Sequence, residues 1–165
     1  MRKNQRIAYR GFLLALALVL SYLESLIPVF WGIPGIRLGL ANIVTVYTLY
    51  RLGAADAVFI SLGRILLSAL LFGNVTTMIY SLAGAALSLG GMLLAKPIPK
   101  LGAMGISMLG GVFHNIGQCC AAAILLRTGG ILTTLTILLP VGAIAGAVVG
   151  VVAGILIIRV PLDDD

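Results

Sequence analysis

The stretch Trp31–Asn42, with the sequence WGIPGIRLGLAN, separates two long apolar segments and decides how the chain can be laid out. It contains Pro34, several glycines and the charged residue Arg37. Proline has no N–H to donate and glycine is conformationally loose, so we do not expect continuous helix here. Two interpretations stay open: an ordinary loop between two helices, or a broken segment at the mouth of an apolar bundle where a polar ligand is met.

The composition on both sides of this stretch is that of a membrane protein. The chain has 165 residues, of which 61% are hydrophobic and 10% charged, and its mean hydropathy is +1.16. A soluble domain has roughly 25% charged residues. Several uncharged runs approach or exceed the ~18 residues that suggest a membrane-spanning helix. The first run, from Ile7, is too long for a signal peptide and lacks a small-residue cleavage site. We therefore expect a single all-α membrane domain over residues 1–165.

Breaks in the apolar pattern divide the chain into six predicted spans. Pro28 ends the first segment, and the KPIPK sequence of Lys96–Lys100 separates the fourth from the fifth. The second segment is short, but it can cross if its first turn is buried or re-entrant, which protein surroundings permit. The predicted spans are residues 7–27, 38–52, 55–72, 76–95, 103–126 and 131–158, with residues 29–37 as an outer loop.

The distribution of cations supports six spans with both termini in the cytoplasm. Under the positive-inside rule, Lys and Arg collect at cytoplasmic ends. Six spans place only Arg37 and Arg127 outside, whereas five spans would also move Lys96 and Lys100 outside. Arg64 lies within a helix, and the other cations fall on the inner side: Arg2, Lys3, Arg6, Arg10, Arg51, Lys96, Lys100 and Arg159.

Other classes of function are disfavoured by the same data. The net charge of +6 comes mostly from chain ends and short loops, so it reports topology rather than nucleic-acid binding. Cys119 and Cys120 are neighbours in an apolar run and are expected to be small packing residues. We expect neither a metal site nor a bound cofactor.

Polar residues inside the predicted spans are the candidate ligand-binding residues, because ionisable groups are costly in a bilayer and mark functional sites. Helix rise places them together in the outer half of the bundle. Arg64 needs a counter-charge or several acceptors there, and two interpretations stay open: a structural pair with Glu24, or contact of Arg64 or Arg37 with an anionic ligand. With Trp31 and Arg37 of the outer loop added, the full set of candidates is Glu24, Trp31, Arg37, Asn42, Arg64, His114, Asn115 and Gln118.

A row of glycines marks the last predicted helix. Gly142, Gly146, Gly150 and Gly154 recur at a strict four-residue spacing, which forms a groove that another backbone can approach closely. Packing within the chain and an interface with a partner subunit are the two explanations.

Two motifs connect the chain to a known family. PGIRLGLANIVT (Pro34–Thr45) and HNIGQ (His114–Gln118) resemble the Gx transporter family, also labelled heptaprenyl diphosphate synthase component I. That family is similar to the S components of energy-coupling factor (ECF) vitamin transporters. The resemblance implies a six-helix bundle whose outward ligand site is roofed by the loop after the first helix, which makes 29–37 a lid.

The resemblance also implies a partner module, a transmembrane coupling protein with ATPase subunits. S components dock through an Ala-x-x-x-Ala pattern on the first helix. This chain has only Gly11/Ala15 and Ala17/Ser21 there, which leaves docking to such a module open.

Our leading hypothesis is a substrate-binding transport component in the bacterial plasma membrane, for a small organic solute such as a vitamin- or flavin-like molecule. The alternatives are a membrane subunit of a quinone- or flavin-linked electron-transfer complex and a non-catalytic subunit associated with a prenyl diphosphate synthase. Prenyl elongation needs aspartate clusters that hold Mg²⁺. The aspartate run here, Asp163–Asp165, is expected to be a solvated tail, so we predict no enzymatic activity.

Overall fold

The computed structural model describes residues 3–27 and 38–160, and within them the chain is all-helical. The helix boundaries differ from the predicted segments by at most four residues. The helices are α1 (Lys3–Leu26), α2 (Leu40–Arg51), α3 (Ala54–Leu71), α4 (Val75–Ala95), α5 (Gly102–Leu125) and α6 (Leu135–Arg159), and a short 3₁₀-helix (Gly129–Thr134) precedes α6.

Five of these α-helices are long and apolar enough to cross a membrane, which confirms a multi-pass membrane protein. Large apolar side chains such as Leu70, Leu94 and Ile158 are about four-fifths exposed on the outside of the bundle, as lipid-facing residues are. The exception is α2, whose 12 residues cover about 18 Å of a hydrocarbon core of about 30 Å. A sixth crossing through α2 stays a prediction.

Although α2 is short, it is the most enclosed helix of the bundle. It packs against α1, α3 and α6. Its buried residues are apolar or small, so the neighbouring helices can pack around them. An interrupted segment at membrane depth is stable only where protein covers its ends. The buried residues are Ala41, Val44, Thr45, Val46, Tyr47, Thr48 and Leu49.

The glycine row of α6 contacts the backbone of α5 within the same chain. A Cβ on Gly146 would lie 2.5 Å from the carbonyl oxygen of Ser107. One on Gly150 would lie 2.6 Å from the Cα of Met104. Gly142 approaches the backbone of α5 at Gly111 in the same way. Small residues allow this approach, and close packing is the main force that holds helices together in a membrane.

The opposite side of α5 approaches α4 just as closely. A Cβ on Gly117 would lie 2.5 Å from the carbonyl oxygen of Ala83. A Cβ on Gly91 would meet the ring of Phe113 at 2.4 Å. Because α5 touches α4 and α6 through backbone atoms, these three helices form one tightly packed half of the bundle.

Charged and polar contacts join the helices at the end where α1 begins. Asp56, which is 1% exposed, pairs with Arg6 at 2.7 Å and also with Arg10. Cations also bind backbone carbonyls at helix ends: Lys96 Nζ donates to Leu49 O at 2.8 Å, and Arg51 donates to Ile157 O. This end of the bundle is therefore closed by direct bonds between neighbouring helices.

Just inside the charged end lies an apolar cluster that seals the interior. It draws residues from α2 to α6, all at most 7% exposed. Its members are Val46, Leu49, Ala57, Leu89, Met92, Ala95, Ile106, Val149 and Ala153.

Substituting alanine along the glycine row tests the contact between α5 and α6. We expect Gly146→Ala to destabilise the protein by about 2 kcal/mol, because its Cβ forces two backbones apart. Gly154→Ala is the matched control, since its Cβ would meet only Ala103 Cβ at 3.9 Å. Thermal unfolding of the purified variants in detergent measures both effects. Equal midpoints for the two variants would contradict this packing.

Candidate functional site

A cavity lined by polar groups lies inside the bundle, and every α-helix contributes to its wall. Its volume is about 60 Å³, which is room for about four water molecules at the ~15 Å³ that each requires. Charged and hydrogen-bonding side chains at membrane depth are costly, so a cavity that collects them is a candidate binding site. The polar lining residues are Glu24, Asn42, Arg64, Ser81, Ser88, Ser107, His114 and Asn115.

Glu24 connects the end of α1 to the start of α2. Its Oε1 accepts a hydrogen bond of 2.6 Å from the backbone N–H of Gly39. Gly39 has a φ of 77°, a left-handed conformation that glycine adopts without strain. The carboxylate therefore replaces the side-chain cap that α2 lacks, at the end where a helix dipole favours negative charge. One role of Glu24 is thus to hold the mouth of the cavity in shape.

Arg64 is the cation that the bundle places in the cavity wall. It is 9% exposed, and its Nη1 donates to Ser21 Oγ on α1 at 3.3 Å. It lies seven residues before the end of α3 at Leu71, or roughly 10 Å along the helix. A guanidinium at this depth can meet a planar anionic group with two parallel hydrogen bonds.

His114 and Gln118 lie on the face of α5 that packs against Gly84 of α4. A Cβ on Gly84 would lie 2.9 Å from His114 Nε2 and 3.0 Å from Gln118 Cγ. Glycine at this position therefore leaves the space that both side chains fill. His114 lines the cavity, whereas Gln118 is not among the lining residues and lies beside it.

Asn115 lines the cavity and also binds the neighbouring helix. Its Nδ2 donates a 2.6 Å hydrogen bond to the carbonyl oxygen of Leu138 on α6. A Cβ on Gly142 would lie 2.4 Å from the same Nδ2, so the small residue on α6 is what allows the amide to reach the carbonyl. One of the two Asn115 amide protons is committed to the fold.

The deeper half of the cavity was not predicted from the sequence. Ser88 and Ser107 line it, and Val46 and Met92 form its apolar floor. Val46 and Met92 also belong to the apolar cluster just inside the charged end. Ser81 and Ser88 are seven residues apart on one helix face, a spacing that could have indicated a shared polar surface.

The structure thus brings together Glu24, Asn42, Arg64, His114 and Asn115 around one cavity. Trp31, Arg37 and the predicted lid over 29–37 lie outside the described residues, and their roles stay predictions. Among residues 3–27 and 38–160, we find no group of three or more His, Cys, Asp or Glu side chains that could hold a metal ion.

Comparison with family models identifies the chain. The model for heptaprenyl diphosphate synthase component I matches residues 13–156. The protein belongs to this family. The match runs from near the middle of α1 almost to the end of α6, and it confirms the family predicted from the motifs Pro34–Thr45 and His114–Gln118. Searches of curated proteins and of solved structures each gave no match.

Replacing Glu24 tests its role as a cap for α2. We expect Glu24→Ala to raise hydrogen exchange at Gly39 and in the first turn of α2 by about tenfold, because a charge-assisted hydrogen bond contributes about 1.5 kcal/mol or more. Glu24→Gln keeps an acceptor oxygen and should raise exchange less. Hydrogen–deuterium exchange with mass spectrometry measures both variants. Unchanged protection in Glu24→Ala would show that Gly39 is held by other contacts.

Proposed function

We propose that this member of the family is the substrate-binding component of a membrane transporter for a small organic solute, in the plasma membrane of a bacterium. The observation that supports this proposal is the cavity, which has polar walls drawn from all six α-helices inside an otherwise apolar bundle. Charged and hydrogen-bonding side chains are costly at membrane depth, and they mark functional sites there. A site that binds polar solutes gives this arrangement a purpose.

The charges of the wall favour a solute with an anionic group. Arg64 is the natural partner for a carboxylate or phosphate oxygen, and it lies at the same cavity as Asn42 and His114. The carboxylate of Glu24 accepts from the Gly39 N–H, so its negative charge is drawn toward the start of α2. Asn42 and His114 supply hydrogen bonds to polar atoms near the anionic group.

The size of the cavity implies that binding is accompanied by movement. Sites for vitamin-sized ligands have volumes of roughly 300–1,000 Å³, and this cavity has about 60 Å³. The half formed by α4, α5 and α6 is joined through backbone contacts, so the helices that give way are α1, α2 and α3. Release on the far side requires the apolar floor to open, in keeping with alternating access around a fixed site.

We also propose that both termini face the cytoplasm, and that the bundle works with an energising partner. Contacts of Arg6, Arg51 and Lys96 gather cations at the end of the bundle where α1 begins, the distribution expected for a cytoplasmic side. Gly11 and Ala15 are exposed on α1, and this pair offers a docking site for a transmembrane coupling protein with ATPase subunits, as in the ECF transporters that the family resembles.

Native mass spectrometry of gently extracted protein tests the binding function. We expect the wild type to retain a small molecule, and Arg64→Ala to lose at least about nine-tenths of it, since a hydrogen bond to a charged group contributes about 1.5–3 kcal/mol. Leu66→Ala, a change on the same helix at a position that is 46% exposed toward lipid, is the control and should retain the molecule. Equal retention by Arg64→Ala and wild type would refute the assignment of Arg64.

The family description favours a second candidate, a membrane subunit that assembles with a prenyl diphosphate synthase partner. This hypothesis predicts that the purified protein binds a soluble partner and that the mixture forms a prenyl diphosphate product in the presence of Mg²⁺. Product formation by the partner alone at the same rate would count against it. Retention of a solute dependent on Arg64, with no effect on product formation, would favour transport.

A further inference from the structure

We propose that the solute is a slim amphipathic anion, and that Met92 sets the greatest length of apolar chain that the cavity accepts. This inference rests on the proposed binding function and specifies the chemical class of the ligand. It comes from the way polarity changes along the cavity, from the charged level of Arg64 to an apolar floor.

The two ends of the cavity differ in chemistry. Near the junction of α1 and α2 the wall contains Glu24, Asn42 and Arg64. Toward the other end Val46 and Met92 are at most 3% exposed and belong to the apolar cluster, and Ser88 and Ser107 each add one hydroxyl to the wall there. A ligand that is polar throughout would place more hydrogen-bonding atoms against this end than two serine hydroxyls can satisfy, which costs free energy. A ligand that is apolar throughout would form no hydrogen bond or ion pair with the charged groups at the mouth of the cavity.

The depth of the floor follows from the tight turn between α3 and α4. Arg64 lies seven residues before the end of α3 at Leu71, and Met92 lies seventeen residues after the start of α4 at Val75. The helices are joined by three residues, 72–74, so these two ends lie at nearly the same level. At ~1.5 Å per residue, Met92 is about 15 Å deeper than Arg64. An anion held at Arg64 therefore directs the rest of the molecule toward Met92.

The walls between these levels favour a narrow chain. Gly110, Gly111 and Gly146 line the passage, and their helices are too closely packed to separate without loss of backbone contacts. At the floor, Met92 lies against Gly110: a Cβ there would be 2.8 Å from Met92 Sδ. Methionine is unbranched and flexible, and it fills irregular gaps. Its thioether is therefore the part of the floor whose position can be changed by small substitutions.

Two substitutions should change the length limit in opposite directions. Met92→Ala removes the side chain beyond Cβ and deepens the floor. Gly110→Ala adds a Cβ that pushes the Met92 thioether away from α5, and the open space lies in the cavity because apolar residues pack behind it. Leu94→Ala is the control on the same helix, at a position that is 83% exposed toward lipid.

The test uses straight-chain carboxylates from acetate to decanoate, titrated calorimetrically into the full chain in lipid nanodiscs, with empty nanodiscs subtracted. For the wild type we expect affinity to rise about fourfold per methylene up to a limiting length and then to fall. Met92→Ala should move the limit up by about two carbons and Gly110→Ala should move it down by about one, given native-like packing of the floor. Leu94→Ala should not move it. An alkylammonium ion of the optimal length should bind at least tenfold more weakly than the carboxylate.

Several results would overturn the inference. If Met92→Ala and Gly110→Ala have the same limiting chain length, Met92 does not set this length. The same conclusion follows if both variants shift the limiting length in one direction. If Met92→Ala fails to fold, Met92→Val shortens the side chain more gently and should still raise the limit. Equal binding of the alkylammonium ion would exclude the anionic class. If the wild type binds no carboxylate but retains a molecule that Arg64→Ala loses, this inference fails and the binding function stands. If neither is seen, both fail.

Discussion

The close approach of backbone to backbone along α5 is the constraint on which the bundle depends. On one side α5 meets α6 at Gly146, and on the other it meets α4 at Gly117. At both glycines the neighbouring backbone leaves space for a hydrogen atom but not for a Cβ. In a bilayer there is no hydrophobic force between helices, since lipid chains are as apolar as the side chains, and such packing has to supply the attraction. The half made of α4, α5 and α6 is therefore a fixed wall against which the other helices are positioned.

The other half is joined by side chains rather than by backbone contacts. Asp56 binds two arginines of α1, Glu24 binds the start of α2, and Arg64 reaches Ser21. A side chain can exchange one hydrogen-bonding or ionic partner for another at a modest cost in free energy. A backbone contact at a glycine has no such alternative partner. The cavity has wall residues from both halves, so a rearrangement of these side-chain bonds is the movement that the proposed binding requires.

Hydropathy and charge were sufficient to predict most of the fold. Long apolar runs are unambiguous, and Pro28 and the KPIPK sequence separate them, so the helix boundaries were predicted to within a few residues. Arg64, Asn42 and His114 were predicted as a cluster because a buried charge or amide in a membrane helix is conspicuous. The role of Gln118 stays a prediction, because Gln118 shares the α5 face of His114 but lies one turn farther along the helix, outside the lining of the cavity.

Other parts of the site depend on contacts that sequence patterns do not reveal. Ser88 and Ser107 resemble ordinary small packing residues, and only the crossing of α4 with α5 brings them to one space. The role of Glu24 depends on the left-handed backbone at Gly39, which turns one N–H toward the carboxylate. The role of Met92 depends on the absence of a side chain at Gly110. Each is a property of a pair of residues that are far apart in the chain.

The cations at the charged end act in two ways, on the orientation of helices in a bilayer and on the contacts between helices. Lys96 and Arg51 are charges of the kind that set the orientation of membrane helices under the positive-inside rule. In the finished bundle their donors are bound to the carbonyls of Leu49 and Ile157, at the ends of other helices. A substitution that removes one of these charges is therefore expected to affect both the orientation of the chain in the bilayer and the contacts between its helices. Orientation and assembly are coupled at these positions, and neither can be re-engineered there without the other.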